Sequence, residues 1–549
     1  MTSEPGNEIE RRAARCLAAG DLIVDYYRIG YRLAFPLPIA ERPDGLPQDV
    51  LPGRTYPWLV WIGWGLEERW RVLASAGRLL DAAPARAALL QELRALSAWS
   101  SYDSDDGRAG LVTAALASPL ADILRNPLDD ALRAAAADAA ERMLSGSIDP
   151  WFRIAWPASG PFTADELQNI RCITLFRGAQ LASLIGHPAA GALQERAAEV
   201  LDTWLVRRGE ETRPFTEAAA YDGYFLDSLT DWLEDRPDAA ALRERARPAF
   251  TETVRGWLAL TCPGRPDLLA PIGDVEPQMP FWMNAAMRIG RWYGLEPECA
   301  RLRAGPVERL SAAGLEAALR LPETGTESPL PAGTRTQPST VTIRTGWSES
   351  DLLVAIGAAR SDMGHLHHDG GQIVVGTYGR FWITDPGYQQ YRPGAEREFT
   401  LGPEAHNAPV IDGRPQSARC ARIAGSGGGS VRLDLTECYP DLPPGTAVHR
   451  IVELPGNGLL RVTDRIRGLA AGIRVDTHWH ADSGVAWAFQ DGAVRLTDGD
   501  RALWIRLDRD RLTPDRLHRH DGTRGPLRLS YSATADAAGY ERTWTFNTP

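Results

Sequence analysis

Lysine is absent from this chain: all 60 of its basic side chains are arginine. A compositional bias that exchanges lysine for arginine accounts for the count, but the chemical consequence holds whatever its origin. No lysine is present to form a Schiff base or act as a general base, which excludes pyridoxal phosphate in its usual linkage. Arginine is left as the permanent cation for gripping carboxylates, and its planar fork does so bidentately. Positive charge is in deficit, with a formal net charge of −11, which argues against a protein that wraps nucleic acid. Cysteine is sparse. The six residues, Cys16, Cys172, Cys262, Cys299, Cys420 and Cys438, include no C-x-x-C pair and read as ordinary thiols, not a disulfide framework or zinc knuckle. Long apolar runs are missing too. The stretch 56–66 (YPWLVWIGWGL) has 11 residues, whereas a membrane-spanning helix needs roughly 20. The opening MTSEPGNEIERRAARCLAAGD lacks the basic, apolar and small-residue order of an export signal, so a cytoplasmic protein is expected.

What is present divides in two. At 549 residues the chain exceeds the roughly 250–300 at which one core stops growing, so at least two domains are expected. Up to about residue 325, segments such as LEERWRVLASAGRLLDA (66–82) and LDDALRAAAADAAERML (128–144) place apolar residues at helical spacing. Gly and Pro separate them, as in IGHP (185–188). This predicts an all-α domain of antiparallel hairpins over 1–325. Residues 322–338 are dense in Pro, Gly, Thr and Ser, and the linker is set at 326–338. From 339 to 549 short β-rich runs follow one another, for example DLLVAIGA (351–358) and GQIVVGTYGRFWITD (371–385), which predicts an antiparallel β-sandwich. The seam between the halves is the natural place for a cleft.

Histidine is distributed unevenly. Of ten, only His187 precedes residue 360, in a helix break where a turn role is expected. Three crowd into Gly364-His365-Leu366-His367-His368-Asp369. As a strand, this run would project His365, His367 and Asp369 on one face and His368 on the other. Asp385 ends the next β-run, and His406-Asn407 follows. Two imidazoles and a carboxylate suit zinc, with an open position for catalysis.

The run 364–416, GHLHHDGGQIVVGTYGRFWITDPGYQQYRPGAEREFTLGPEAHNAPVIDGRPQ, resembles the C-terminal signature of the heparinase II/III-like polysaccharide lyases. The elements stand in order: H-x-H-x-D, a strand ending D-x-G, a tyrosine-bearing loop, and His-Asn before a D-G turn. The resemblance implies an N-terminal α/α toroid, which the helical pattern allows without dictating. It implies that His367, Asp385 and His406 are zinc ligands, structural or catalytic, and that His365 faces the substrate. Asp369 and Asn407 match positions that orient ligands, and His368 matches a variable one. Tyr388 and Tyr391 fall in a loop that contacts substrate. In the helical half, TEAAAYDGYFLDSLTDW (216–232) resembles the segment carrying a tyrosine acid/base, matching Tyr221, with Tyr224 one turn on and Glu217 four residues before. LQNIRCITLFRGAQLASLIG (167–186) resembles a cleft-lining helix whose asparagine is Asn169. The chain departs from the family where many members place a histidine near that asparagine. Ile170 and Arg171 stand there, so either Arg171 or Arg177 takes over carboxylate binding or the substrate and chemistry differ.

The activity implied is β-elimination on a uronate-containing oligo- or polysaccharide. Tyr221 would abstract the proton α to the carboxylate and pass it to the leaving oxygen, while His365 and arginine offset the enolate charge. Tyrosine titrates near pH 10, so neighbouring positive charge would have to lower that value. The partner is an acidic carbohydrate or small acidic molecule, with no nucleic acid and no membrane. A second copy of the chain, in a homodimer, is neither required nor excluded by the sequence. Two other readings stand beside this one: a tailoring enzyme acting by elimination or hydrolysis on a small acidic metabolite, and a catalytically silent carbohydrate-binding protein.

Overall fold

The computed structural model describes residues 4–24, 31–33, 58–96, 99, 102, 110–211, 214–275, 280–303, 305–322, 330–358, 364–387, 394–417, 421–456, 458–506, 512–519 and 522–548. Thirteen α-helices precede residue 320 among these. Six of them pack in a closed ring: Trp58–Leu79 on Leu111–Arg125, then Asn169–Ile185, Ala218–Glu234, Phe281–Tyr293 and Ala312–Leu319, which returns to the first. The others, including Glu4–Ala19, Ala83–Ala95, Asp130–Met143, Ala190–Arg208 and Ala239–Leu260, pack outside the ring. This is an α/α toroid.

The ring helices are covered on nearly every side; in Leu111–Arg125 every residue but the last is buried. A helix without a wet face must also hide its polar side chains, and here they neutralise one another. Arg177 pairs with Asp231, and at 3.2 Å with Asp227. Arg288 reaches Asp227 at 3.2 Å, and Arg71 reaches Asp231 at 3.7 Å. Gly223 lets two ring helices touch, since a Cβ there would collide with Trp282.

The C-terminal half is two antiparallel sheets. The nine-stranded one runs in the order Leu512–His518, Arg524–Thr534, Arg474–Ala481, Arg380–Ile383, Ile373–Thr377, Leu353–Gly357, Thr340–Arg344 and Gly333–Thr336, with Pro409–Ile411 also on Arg474–Ala481. The eight-stranded one includes Ala447–Gly456, Leu459–Arg467 and Tyr540–Asn547. Val354, Ile356, Ile373 and Val375 meet Val452, Val462 and Trp544 between the sheets. The opposite face of the same strands, Leu353, Ala355 and Val374, joins the hydrophobic core of the helices. A sheet buried on both sides explains why these strands are apolar throughout instead of alternating.

Four details correct the sequence-based expectations. Gly333–Thr336, placed within the linker, is a strand paired with Thr340–Arg344, and its Thr and Arg side chains suit a partly wet edge. The helical half holds two small hairpins, Leu22–Val24 with Tyr31–Leu33 and Thr261–Cys262 with Arg265–Leu269. The β half holds the helix Ala395–Leu401. Residues 364–369 are not a strand: His365 takes φ +72°, which breaks extended backbone. His187 does fill a turn role, its Nδ1 accepting from the Ala189 N–H at 3.1 Å. The five described cysteines are free thiols. Among the described residues no helix is long and apolar enough to cross a membrane.

Arg450 ties the second sheet to the first. It is fully buried, donates to both oxygens of buried Asp464 at 2.6 and 2.8 Å, and reaches the carbonyls of Gly371 (2.7 Å) and Asn407. Removing one member strands the other charge in a dry core. Arg450→Met is expected to lower stability by about 3–5 kcal/mol in denaturant unfolding, and Asp464→Asn in the same chain to recover part of the loss.

Candidate active site

The site forms where the loop after Arg265–Leu269, in the helical half, meets the segment before Ile373–Thr377 in the sandwich. Gly273 has φ +74°, and a Cβ on it would stand 2.5 Å from the His365 carbonyl oxygen. Glycine is therefore required for the next residue, Asp274, to donate its N–H to that carbonyl at 2.7 Å. The Asp274 carboxylate then divides between two imidazoles: Oδ2 lies 2.9 Å from His365 Nδ1, and Oδ1 lies 2.8 Å from His367 Nε2. Burial pushes the Asp274 carboxyl up, but hydrogen bonds and charge from the two rings outweigh it and hold the group below its usual range. Burial likewise opposes the His367 imidazolium, and Asp274 overcomes it, raising that ring to about 9.

Three residues face one another across the seam. The Tyr221 ring lies flat on His365, with centroids 3.5 Å apart and planes within 9°. Asn169 Nδ2 stands 3.2 Å from His365 Nε2. Asn169 opens the helix Asn169–Ile185, and its backbone N–H, one of the donors a helix start leaves unpaired, goes to Glu217 Oε2 at 3.1 Å. Glu217 precedes the helix Ala218–Glu234 and is 1% exposed. Burial drives its carboxyl up to about 8. Around Tyr221 the wall is apolar, formed by Val60, Leu111, Ile173, Tyr224 and Phe281.

Beside this group, His367, Asp385 and His406 each place one ligand atom within 4.8 Å of the others, and all three are buried. Asp385 Oδ2 takes His406 Nδ1 at 2.9 Å and Gln372 Nε2 at 2.8 Å, and Oδ1 accepts from the Gly387 N–H at 2.8 Å. His406 Nε2 and both oxygens of buried Asp369 have no hydrogen-bond partner among the described residues. Burial raises the Asp369 carboxyl, and the nearby His406 and His367 partly offset it. Such orphaned polar atoms are costly unless something satisfies them, and a small divalent cation fits the set. Asn407 braces the cluster, donating to the carbonyls of Ile373 and Thr384 at 2.7 Å each and accepting from His480 N at 2.8 Å.

Residues 347–546 match the family model of the heparinase II/III-like C-terminal domain. The match spans nearly the whole of the sandwich and none of the helical half. No curated protein matches the chain. Solved structures with the same architecture include heparinase III, at 11% identity and TM-score 0.65, covering 100% of this chain and 86% of that one. A heparan sulfate lyase mutant from Pedobacter heparinus matches at 12% identity and TM-score 0.58, covering 98% and 82%. The chondroitin AC lyase of Streptomyces coelicolor in complex with chondroitin sulphate matches at 12% identity and TM-score 0.53, covering 100% and 80%. Likeness at these identities carries the toroid-plus-sandwich fold.

The structure brings together Asn169, Tyr221 and His365, and next to them His367, Asp385 and His406. It does not bring the two arginines there. Arg171 donates to the Ala155 carbonyl at 2.7 Å and lies over Trp156. Two residues along a helix is about 200° of rotation, so Arg171 cannot share the face of Asn169. Arg177, about 12 Å along the axis from Asn169, is spent on Asp227 and Asp231 inside the ring. Tyr224 stacks on Phe281, accepts from Trp64 Nε1 at 3.1 Å, and is driven above its usual range by burial. His368 is exposed. Tyr388 and Tyr391 lie outside the described residues. Asp274 escaped the sequence reading, being an acid in a Pro- and Gly-rich loop with no motif around it.

Glu217 offers a test of this geometry. Its folded-state value of about 8 lies above the ordinary 4.5, so the folded state holds a proton that the unfolded chain releases. Stability from this group is complete below about pH 4.5 and is lost as pH rises through 8. Glu217→Gln, which mimics the protonated acid, is expected to flatten the thermal midpoint across that window and to melt above wild type at pH 8.5. Parallel pH–stability curves for the two proteins would refute the assignment.

Proposed function

We propose that the protein is a carbon–oxygen lyase that cleaves a uronate-containing oligo- or polysaccharide by β-elimination, with Tyr221 as acid/base. The observation that carries this reading is the Tyr221–His365 stack with Asn169 beside it. One half of the chain supplies the tyrosine and amide, and the other supplies the imidazole, at the seam where a sugar chain would lie. The heparan sulfate and chondroitin lyases of the same fold support an acidic carbohydrate as the substrate.

In this reaction Tyr221 takes the proton α to the carboxylate and delivers it to the oxygen leaving the adjacent carbon. Asn169 donates to the substrate carboxylate, and His365 in its charged form donates through Nε2, which offsets charge as the enolate forms. Stabilisation of developing charge by fixed donors contributes more than any other single effect in most reactions of this kind. The apolar wall around Tyr221 excludes water from the proton's path. His367, Asp385 and His406 are the residues that would hold a zinc ion. Bound there, zinc would fix the segment that presents His365 and supply Lewis acidity to the cleft.

A second reading, elimination on a small acidic metabolite, is favoured by one observation: Arg171 and Arg177 are committed elsewhere. A panel of alginate, heparinoid, glucuronan and small uronate substrates, followed by ultraviolet absorbance of the unsaturated product, separates the two. Tyr221→Phe is expected to cut turnover by about a hundredfold to ten-thousandfold with zinc content and melting temperature nearly unchanged. Wild-type turnover in that variant would end the acid/base assignment. Elemental analysis after zinc-replete purification should find one zinc per chain, lost in His406→Ala.

A further inference from the structure

Asp274 comes from the helical half, yet its carboxylate and its N–H both bond to the sandwich. The residue is 4% exposed; its carboxylate meets His365 Nδ1 at 2.9 Å and His367 Nε2 at 2.8 Å, while its N–H holds the His365 carbonyl at 2.7 Å. The backbone is shaped to permit this. His365 sits at φ +72°, a conformation that residues with a side chain rarely adopt, and Gly273 has no room for a Cβ against it. The two imidazoles have different neighbours. His365 faces Tyr221 and Asn169, and His367 stands with Asp385 and His406.

We propose that Asp274 is a positioning residue that couples these two groups, fixing at once the ring that faces the substrate and a ring that holds the ion. With Nδ1 of His365 turned to Asp274, Nε2 is the nitrogen presented to Asn169 and the cleft. With Nε2 of His367 turned to Asp274, Nδ1 is left for the ion. A carboxylate behind a metal-binding imidazole fixes its tautomer and orientation, and loss of such a partner weakens the metal about 10- to 100-fold. The role toward His365 rests on the proposed lyase activity; the role toward His367 does not.

The experiment uses the full chain and Asp274→Asn, which keeps the shape but cannot accept from both rings through equivalent oxygens. Asp267→Asn, an acid of the same segment that pairs with Arg265 and Arg309, is the control for loss of a buried carboxylate. Zinc affinity by chelator competition should fall about 10- to 100-fold in Asp274→Asn and stay within about twofold in the control. With a turned-over oligomer, kcat should drop while KM holds. In the metal-free chain labelled with ¹⁵N at histidine rings, the signals of His365 and His367 should shift together and the remaining histidines stay in place. Unchanged zinc affinity, or movement of only one of the two ring signals, would overturn the coupling. If no oligomer is turned over, the lyase reading falls, and the zinc and ring-nitrogen measurements still decide the role of Asp274.

Discussion

Leu353, Ala355 and Val374 point into the helical core while Val354, Ile356, Ile373 and Val375 point into the sandwich core, so the strands that carry them have no solvent face. A register slip of one residue would exchange the two sets, and both cores would lose their fit. The sheet therefore cannot shift against the toroid without unpacking both domains. That constraint fixes the segment leading into Ile373–Thr377, and with it the histidines, against the loop of Asp274. One sheet thus serves both cores, and the side chains gathered at the seam are held by that shared packing.

The polar interior follows a similar economy. Bidentate contacts hold two of the hidden pairs: Arg450 on Asp464, and Arg69 on Glu92. A guanidinium carries enough donors to satisfy a carboxylate and also nearby carbonyls, as Arg450 does with Gly371 and Asn407. An ammonium in the same place would leave acceptors unmet. Whatever produced a chain without lysine, the fold has used the substitution to build its dry charge networks.

Much of this was legible beforehand, and what was not has definite physical causes. The switch from helical spacing to β-rich runs marked the two domains because each periodicity reflects a local backbone geometry. His367, Asp385 and His406 stood out because histidine is scarce and three spaced elements kept their order. The strand expected over 364–369 failed because His365 is pulled into left-handed backbone by a partner 91 residues away, which no local rule sees. Arg171 was misplaced by reading proximity in sequence as proximity in space. Asp274 was invisible for the converse reason: it becomes important only once the loop that bears it is folded against the other half.

The toroid also closes late. Its last ring helix, Ala312–Leu319, docks on its first, and Ser75 hydrogen-bonds Glu316 across 241 positions of sequence. During synthesis, the earlier ring helices can associate only as an open arc, with the flank of Trp58–Leu79 uncovered until residue 319 has left the ribosome. Contacts of such span are the slowest to form, and exposed apolar flanks invite association with other chains. The two-sided sheet begins only 14 residues later, at Gly333. Completion of the ring and the start of the sheet are thus neighbouring events on the ribosome, and the arc's period of exposure is set by the rate of translation through the helical half.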